Sequence, residues 1–133
     1  MEADDLTLLF ELFENTPRQG PGSVETTRRA LRLLPKSLRI ERGLDFGCGT
    51  GGSTTVLAED TGAHFTAVDI HPPFLATLRA RAEEFGLDDR ISTVAVDMSN
   101  VASLGTDFDL IWAEGSAYSI GFENALRRWR QPT

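Results

Sequence analysis

The sequence predicts an α/β fold with a doubly wound, mostly parallel sheet and helices on both of its faces. From residue 40 onwards, short apolar runs alternate with stretches of helical periodicity, which is typical of consecutive strand and helix units. The apolar runs are nearly continuous, as expected for parallel strands that helices cover on both sides. With 133 residues, of which 41% are hydrophobic, the chain has the length and composition of one globular domain.

The first 36 residues are predicted to form a helical lid segment, followed by a sheet domain at residues 37–133. Apolar residues at helical spacing predict a first helix in the lid: Leu6, Leu9, Phe10 and Phe13. The stretch NTPRQGPG breaks this helix, because its prolines and glycines disfavour helical backbone. Ser23 is a suitable N-cap for a second helix that ends before Pro35. One face of this helix carries Val24, Thr27, Leu31 and Leu34.

Strands and helices alternate in the sheet domain, and the predicted strands are GLDF, HFTAVDI, ISTVAV and FDLIWA. The helix after the first strand runs from Ser53 to Glu59 and closes near Gly62, since glycine is common at helix C-termini. The helix after the second strand, PPFLATLRARAEEFG, has prolines suited to its first turn and Gly86 as its stop signal. Its apolar face consists of Phe74, Leu78, Ala82 and Phe85. A last helix carries Phe122, Leu126 and Trp129 on one side.

The amino-acid composition limits which binding partners and which cellular compartment are expected for this protein. The formal net charge of −7 disfavours binding to nucleic acid or to an anionic membrane surface, since both attract lysine and arginine. Cys48 is the only cysteine, so no internal disulfide forms and nothing indicates an oxidising compartment. The acidic N-terminus lacks the features of a signal peptide, and no run reaches membrane-spanning length. We therefore expect a cytoplasmic protein with no nucleic-acid partner, no membrane contact and no metal site.

Each predicted strand has an acidic residue at or next to its carboxyl end: Asp45, Asp69, Asp97 and Glu114. The carboxyl ends of parallel strands form the edge of the sheet at which α/β folds bind ligands. The glycines at positions 47, 49 and 52 have the spacing of a dinucleotide-binding turn, but a pyrophosphate at this edge would meet several like charges. Asp69 lies 24 residues after Asp45, an offset at which an acidic residue reaches ribose hydroxyls. The pattern indicates an adenosine that carries a positive charge.

These motifs resemble those of the class I S-adenosylmethionine-dependent methyltransferases, whose domain is Rossmann-like. LDFGCGTGG is similar to their first motif, with an acidic residue ahead of alternating glycines: Asp45, Gly47, Gly49 and Gly51, with Cys48 among them. AVDI resembles their second-strand motif, VDM their adenine-contacting motif and FDLIWAEG their fourth-strand motif. The resemblance runs from about residue 8 to about residue 130 and, within the family, favours a bacterial group of small-molecule methyltransferases.

The resemblance implies S-adenosylmethionine as the cofactor and assigns residues to its adenosine end. Asp69 takes both ribose hydroxyls, and Ile70 packs on the adenine face. Asp97 accepts a hydrogen bond from the adenine amino group, and the backbone of Met98 supports the ring.

Other residues belong to the methionine end of the cofactor. The glycine turn, including Cys48, approaches this end closely, and Asp45 and Glu114 lie where an ammonium and a sulfonium are attracted. The resemblance also indicates that Arg18, in the lid loop, binds the cofactor carboxylate.

The predicted function is in-line transfer of a methyl group from S-adenosylmethionine to a small molecule. Because such a displacement depends mainly on alignment, no catalytic residue is assigned. The resembling domain has strand order 3-2-1-4-5-7-6, so this chain is expected to be a truncated form with about four strands in the order 3-2-1-4. Two alternatives remain open: a non-catalytic fragment for cofactor binding or assembly, and a nicotinamide-dinucleotide-binding protein.

The fourth strand is expected to lie at an open edge of this incomplete sheet. An unpaired strand edge with apolar side chains recruits another chain. We therefore predict a homodimer or a higher oligomer, with strand four or the last helix at the contact.

Overall fold

The computed structural model describes residues 24–97, 100, 104–105 and 107–113. Helices and strands follow one another in this part of the chain in the predicted order. They are α1 (Val24–Arg32), β1 (Arg42–Phe46), α2 (Thr54–Thr61), β2 (His64–Asp69), α3 (Pro72–Glu84), β3 (Ile91–Ala95) and β4 (Leu110–Trp112). The predicted first and last helices lie outside the described residues, and the domain boundary at residue 36 stays a prediction.

The described strands form one parallel sheet in the order β3-β2-β1-β4, which confirms the predicted order. β1 is central, and its Asp45 is opposite Ala67 of β2 and Trp112 of β4. β4 is shorter than the predicted run FDLIWA, because Phe108 and Asp109 precede the paired segment. Since all these strands run in one direction, their carboxyl ends meet at one edge of the sheet.

Hydrophobic clusters cover both faces of the sheet. The larger cluster joins β2 to α2 and α3 through the fully buried side chains Phe65, Leu57 and Leu78. Leu31 of α1 packs against the same cluster. The smaller cluster consists of Leu44, Phe46, Val68 and Phe108. Burial on both faces explains why β1 and β2 appear in the sequence as nearly continuous apolar runs.

Helices α2 and α3 end where their glycines predict. Gly62 has φ 70°, and its N–H donates to the carbonyl oxygen of Ala58 at 3.0 Å. In α3, prolines occupy the first turn, and Phe74, Leu78 and Ala82 are buried as predicted. Phe85 was expected on the same apolar face but is 59% exposed. The helix ends at Glu84, so Phe85 no longer follows the helical stripe.

Helix α1 packs beside α2, and an ion pair joins the two helices at the surface. Arg28 Nε donates to Asp60 Oδ2 at 2.9 Å. Thr27 is fully buried, as its position on the predicted face requires. Val24, on the same predicted face, is instead 45% exposed, because it is the first residue of the helix.

Asp109 ties the start of β4 to the start of β1, at the amino edge of the sheet. Its Oδ2 accepts hydrogen bonds from the N–H of Glu41 at 2.9 Å and from the N–H of Arg42 at 3.1 Å. Its own N–H donates to the Arg42 carbonyl oxygen at 2.8 Å. The backbone donors of Glu41 and Arg42 lower the pKa of Asp109 from its ordinary value.

We expect Asp109→Asn to lower the free energy of unfolding at neutral pH, because an amide oxygen accepts hydrogen bonds more weakly than a carboxylate. A carboxyl group whose pKa is lowered by folding stabilises the fold above its unfolded-state pKa of about 4. That stabilisation is lost as the pH falls through the folded-state value. Urea unfolding across the acidic range should therefore show the difference from the wild type shrinking at low pH. Asp88→Asn, in an exposed turn, is the control, and a pH-independent difference for Asp109→Asn contradicts the prediction.

Candidate cofactor site

The turn after β1 requires glycine for its backbone and for its packing. Three of its glycines have positive φ, where other residues are rare: Gly47 at 65°, Gly49 at 58° and Gly51 at 90°. The N–H of Cys48 donates to the carbonyl oxygen of Val68 at 3.1 Å, which joins the turn to β2. A Cβ atom at Gly51 would overlap the side chain of Leu78. Gly51 therefore allows the turn to lie directly on α3.

The carboxylate of Asp69, at the end of β2, is held against this turn. Oδ2 accepts a hydrogen bond from the N–H of Gly49 at 2.9 Å, and Oδ1 accepts one from the N–H of His71 at 3.0 Å. The same side chain thus connects the glycine turn to the start of α3. With both oxygens held by backbone donors, the fold itself determines the orientation of Asp69.

Asp45 lies on the central strand just ahead of the turn, and only 1% of it is exposed. Its Oδ2 accepts a hydrogen bond from Oγ1 of Thr54 at 2.6 Å. Thr54 is the first residue of α2 and is fully buried. The sequence motifs do not single out Thr54, although a signal is present. Thr54 shares the buried face of α2 with Leu57 and Ala58, and a hydroxyl on such a face needs a polar partner.

The other predicted adenosine-binding residues lie near the same edge. Ile70 directly follows Asp69 and is 52% exposed, so it offers an apolar surface to a ligand. Asp97 follows β3 and is exposed, and its carbonyl oxygen accepts the N–H of Asn100 at 2.9 Å. The remaining predicted site residues lie outside the described residues: Arg18, Met98 and Glu114.

The part of the chain that carries this site matches a known family. The family described as methyltransferase domain matches residues 44–131, which is about two thirds of the chain. The chain belongs to the methyltransferase domain family. This membership confirms the predicted relation to the class I S-adenosylmethionine-dependent methyltransferases.

Relatives and solved structures agree with the methyltransferase assignment. Methyltransferase GfsG from Streptomyces halstedii is 33% identical over 117 residues, covering 80% of this chain and 42% of that protein. The X-ray structure of YjhP from Escherichia coli has a TM-score of 0.79 at 24% identity, covering 94% of this chain and 51% of that one.

A further solved structure is geranyl diphosphate C-methyltransferase from Streptomyces coelicolor A3(2), in complex with Mg²⁺, geranyl diphosphate and S-adenosyl-L-homocysteine. Its TM-score is 0.70 at 16% identity, covering 80% of this chain and 40% of that one. At these identities the solved structures show the fold alone. The chain spans about half of the length of these relatives or less.

The methyltransferase turn also encloses Cys48. This side chain is 8% exposed, and its Sγ lies 3.6 Å from the carbonyl oxygen of Gly49. Burial, followed by the charges of Asp45 and Asp69, raises the pKa of the Cys48 thiol well above its ordinary value. A protonated thiol suits the packed interior of the turn. The charges of Asp45 and Asp69 both reach this thiol.

We expect Cys48 to react slowly with a chromogenic disulfide reagent in the folded methyltransferase domain. The thiolate is the reactive species, and each unit of raised pKa lowers its fraction about tenfold. In guanidinium chloride, burial and the nearby charges are both lost, so the same thiol should react like free cysteine. Asp69→Asn removes one nearby charge and should increase the rate in the folded state. A rate that unfolding leaves unchanged contradicts the prediction.

Within the described residues, no group of three or more His, Cys, Asp or Glu side chains could hold a metal ion. In the same part of the chain, every helix is too short or too polar to cross a bilayer.

Proposed function

We propose that this chain binds S-adenosylmethionine at the glycine turn and serves methyl transfer to a small molecule. The observation that carries the proposal is the Asp69 carboxylate, whose Oδ2 lies 2.9 Å from the Gly49 nitrogen at the carboxyl edge of the sheet. This contact brings a charged acceptor next to a backbone that other groups can approach closely. A carboxylate beside accessible backbone suits a ligand in which ribose hydroxyls lie next to a polar or cationic group.

At the adenosine end, Asp69 is proposed to accept hydrogen bonds from both ribose hydroxyls. Each carboxylate oxygen has more than one lone pair, so the bonds from Gly49 and His71 leave acceptor capacity for a ligand. The exposed side chain of Ile70 is proposed to pack on the adenine. Asp97 and the backbone of Met98 are proposed to contact the adenine edge.

At the methionine end, the electrostatics of the turn support a cationic ligand. The charges of Asp45 and Asp69 contribute, after burial, to the raised pKa of Cys48, so a negative potential extends into the turn. This potential attracts an ammonium or a sulfonium and repels a pyrophosphate, which weighs against the dinucleotide alternative. Asp45 and Glu114 are proposed to attract the cations, and Arg18 to bind the carboxylate.

The proposed chemistry needs alignment more than proton transfer. S-adenosylmethionine supplies an electrophilic methyl group on a sulfonium when it is bound. Asp69 and the glycine turn would hold the ligand at its two ends, so that an acceptor approaches the methyl group in line with the departing sulfur. Positioning of this kind lowers a barrier by roughly 7 to 11 kcal/mol, so no general base is assigned.

A small-molecule acceptor is supported by an open surface depression of about 300 Å³ between α1 and the end of β4. It is lined by Thr26, Ala30, Ile111, Trp112 and Ala113. The volume is that of a small ligand pocket, and Trp112 pairs with Asp45 across the sheet. A solved structure of the same fold holds geranyl diphosphate. The net charge of −7 disfavours a nucleic-acid acceptor.

Calorimetry with S-adenosylhomocysteine and with NAD tests cofactor binding. Binding of S-adenosylhomocysteine but not of NAD supports the proposal, whereas tight binding of NAD alone overturns it in favour of a dinucleotide-binding protein. Transfer of a labelled methyl group from S-adenosylmethionine to a panel of prenyl diphosphates and hydroquinones then tests catalysis. Cofactor binding without transfer to any acceptor favours the non-catalytic fragment.

The edge of β4 supports a second proposal, that the chain forms a homodimer or a higher oligomer. Within the described residues, β4 pairs with β1 and lies at an edge of the sheet. Its side chains are partly exposed, and an open strand edge recruits a further strand. A second copy is therefore proposed to cover β4. Sedimentation at micromolar concentration should show a dimer, and a monomer with protected amides at residues 110–112 contradicts this.

A cytoplasmic location is proposed from the state of Cys48. Its thiol is free and buried, and reducing compartments preserve free thiols. Cell fractionation tests this location.

A further inference from the structure

The buried carboxylate of Asp45 depends on hydrogen bonds. Asp45 is 1% exposed, and the burial of a carboxylate costs free energy unless donors compensate for the lost water. Oγ1 of Thr54 donates to its Oδ2 at 2.6 Å, a distance typical of short, charge-assisted O–H···O⁻ bonds. The Thr54 hydroxyl is therefore a strong contact of this carboxylate.

Packing alone does not require the hydroxyl of Thr54. Thr54 is fully buried on the inner face of α2, where valine has nearly the same shape and no donor. Threonine is also a weaker helix former than leucine or alanine. Its place in the first turn of α2 brings Asp45 to a helix N-terminus, where the helix dipole favours a negative charge. The residue is therefore suited to hold a carboxylate.

We propose that Thr54 is a positioning residue of the cofactor site, whose hydroxyl holds the Asp45 carboxylate in the orientation that attracts the ammonium group at the amino-acid end of the cofactor. This inference rests on the proposed function, in which Asp45 lies near the ammonium. The charge of Asp45 acts on the turn, since it contributes to the raised pKa of Cys48. The bond to Thr54 ties that charge to α2, so the carboxylate keeps one orientation.

The test compares ligands with and without the amino-acid end. S-adenosylhomocysteine has this end, whereas 5′-methylthioadenosine has the same adenosine and thioether without it. Calorimetry measures both dissociation constants for the wild type, for Thr54→Val, which loses the donor, and for Thr54→Ser, which keeps it. We expect Thr54→Val to weaken S-adenosylhomocysteine binding about tenfold to a hundredfold. This is the effect of losing one hydrogen bond to a charged group, here the proposed contact between Asp45 and the ammonium. Binding of 5′-methylthioadenosine should stay unchanged, and Thr54→Ser should bind both ligands like the wild type.

The comparison separates positioning from loss of structure. Equal weakening of both ligands by Thr54→Val, or no weakening of either, overturns the inference, as does a Thr54→Ser variant that behaves like Thr54→Val. If Thr54→Val does not fold, Thr54→Cys provides the same comparison with a weaker donor. Selective loss of S-adenosylhomocysteine binding in that variant supports the inference, and equal loss overturns it. A wild type that binds neither ligand refutes the proposed function itself, which is a different result.

Discussion

Asp69→Ala is expected to weaken the binding of S-adenosylmethionine by roughly 2 to 4 kcal/mol. The substitution removes the charged acceptor proposed for the ribose hydroxyls. It also removes the hydrogen bonds from the N–H groups of Gly49 and His71, which hold the glycine turn against the start of α3. Loss of the ribose acceptor and loosening of the glycine turn both weaken cofactor binding. The affinity should therefore fall more than after the loss of one neutral hydrogen bond. Calorimetric titration measures the change.

A ligand that lacks one ribose hydroxyl separates these two causes. The wild type should bind a 2′-deoxy analogue of S-adenosylhomocysteine more weakly than the parent ligand, whereas Asp69→Ala should bind both with similar affinity. Asp109→Asn is the matched control, because Asp109 lies at the opposite edge of the sheet and contacts Glu41 and Arg42. Its effect should be on stability, with binding unchanged. A folded Asp69→Ala variant with wild-type affinity refutes the assignment of Asp69.

Gly51→Ala is expected to destabilise the fold by roughly 2 to 6 kcal/mol, as the sum of backbone strain and overpacking. Gly51 has φ 90°, a conformation in which an L side chain is strained. The added Cβ would also overlap Leu78, which is fully buried in the larger cluster. Because small domains have about 5 to 15 kcal/mol of stability in total, the variant should unfold at a much lower urea concentration.

Gly62→Ala isolates the backbone part of that cost. Gly62 has φ 70°, and a Cβ atom there would meet nothing within 4 Å. Its substitution should therefore cost only the strain of the positive φ, which is the smaller effect. Urea unfolding measures the loss of unfolding free energy in both variants. The difference between the two losses is the cost of the overlap with Leu78. If the two variants lose the same stability, Gly51 is needed for its backbone conformation alone.

Local patterns in the sequence were enough to predict the order of helices and strands. Gly62 and the prolines of α3 mark helix ends because they act on their own backbone. Continuous apolar runs predict strands that are buried on both faces, and the acidic residues at their ends predict one ligand-binding edge. The strand order 3-2-1-4 itself came from the resemblance to the methyltransferases, and the sheet confirms it.

Contacts between segments were beyond the reach of such patterns. The sequence predicts that the turn glycines make room for a ligand, but it gives no sign that a Cβ at Gly51 would also collide with Leu78, which lies in a helix later in the chain. Phe85 continued the apolar stripe of α3 in the sequence but is exposed, because the helix ends one residue earlier.

Which elements form and which residue types meet at the carboxyl edge follows from local sequence patterns, since periodicity, glycine and proline act over a few neighbouring residues. How the carboxylates are held depends instead on the packing of separate elements against one another. Asp45 meets Thr54 across the glycine turn, and Asp69 meets the backbone of Gly49 from the adjacent strand. Hydrogen bonds of this kind depend on distances and angles between separate elements, and no spacing along the chain specifies those.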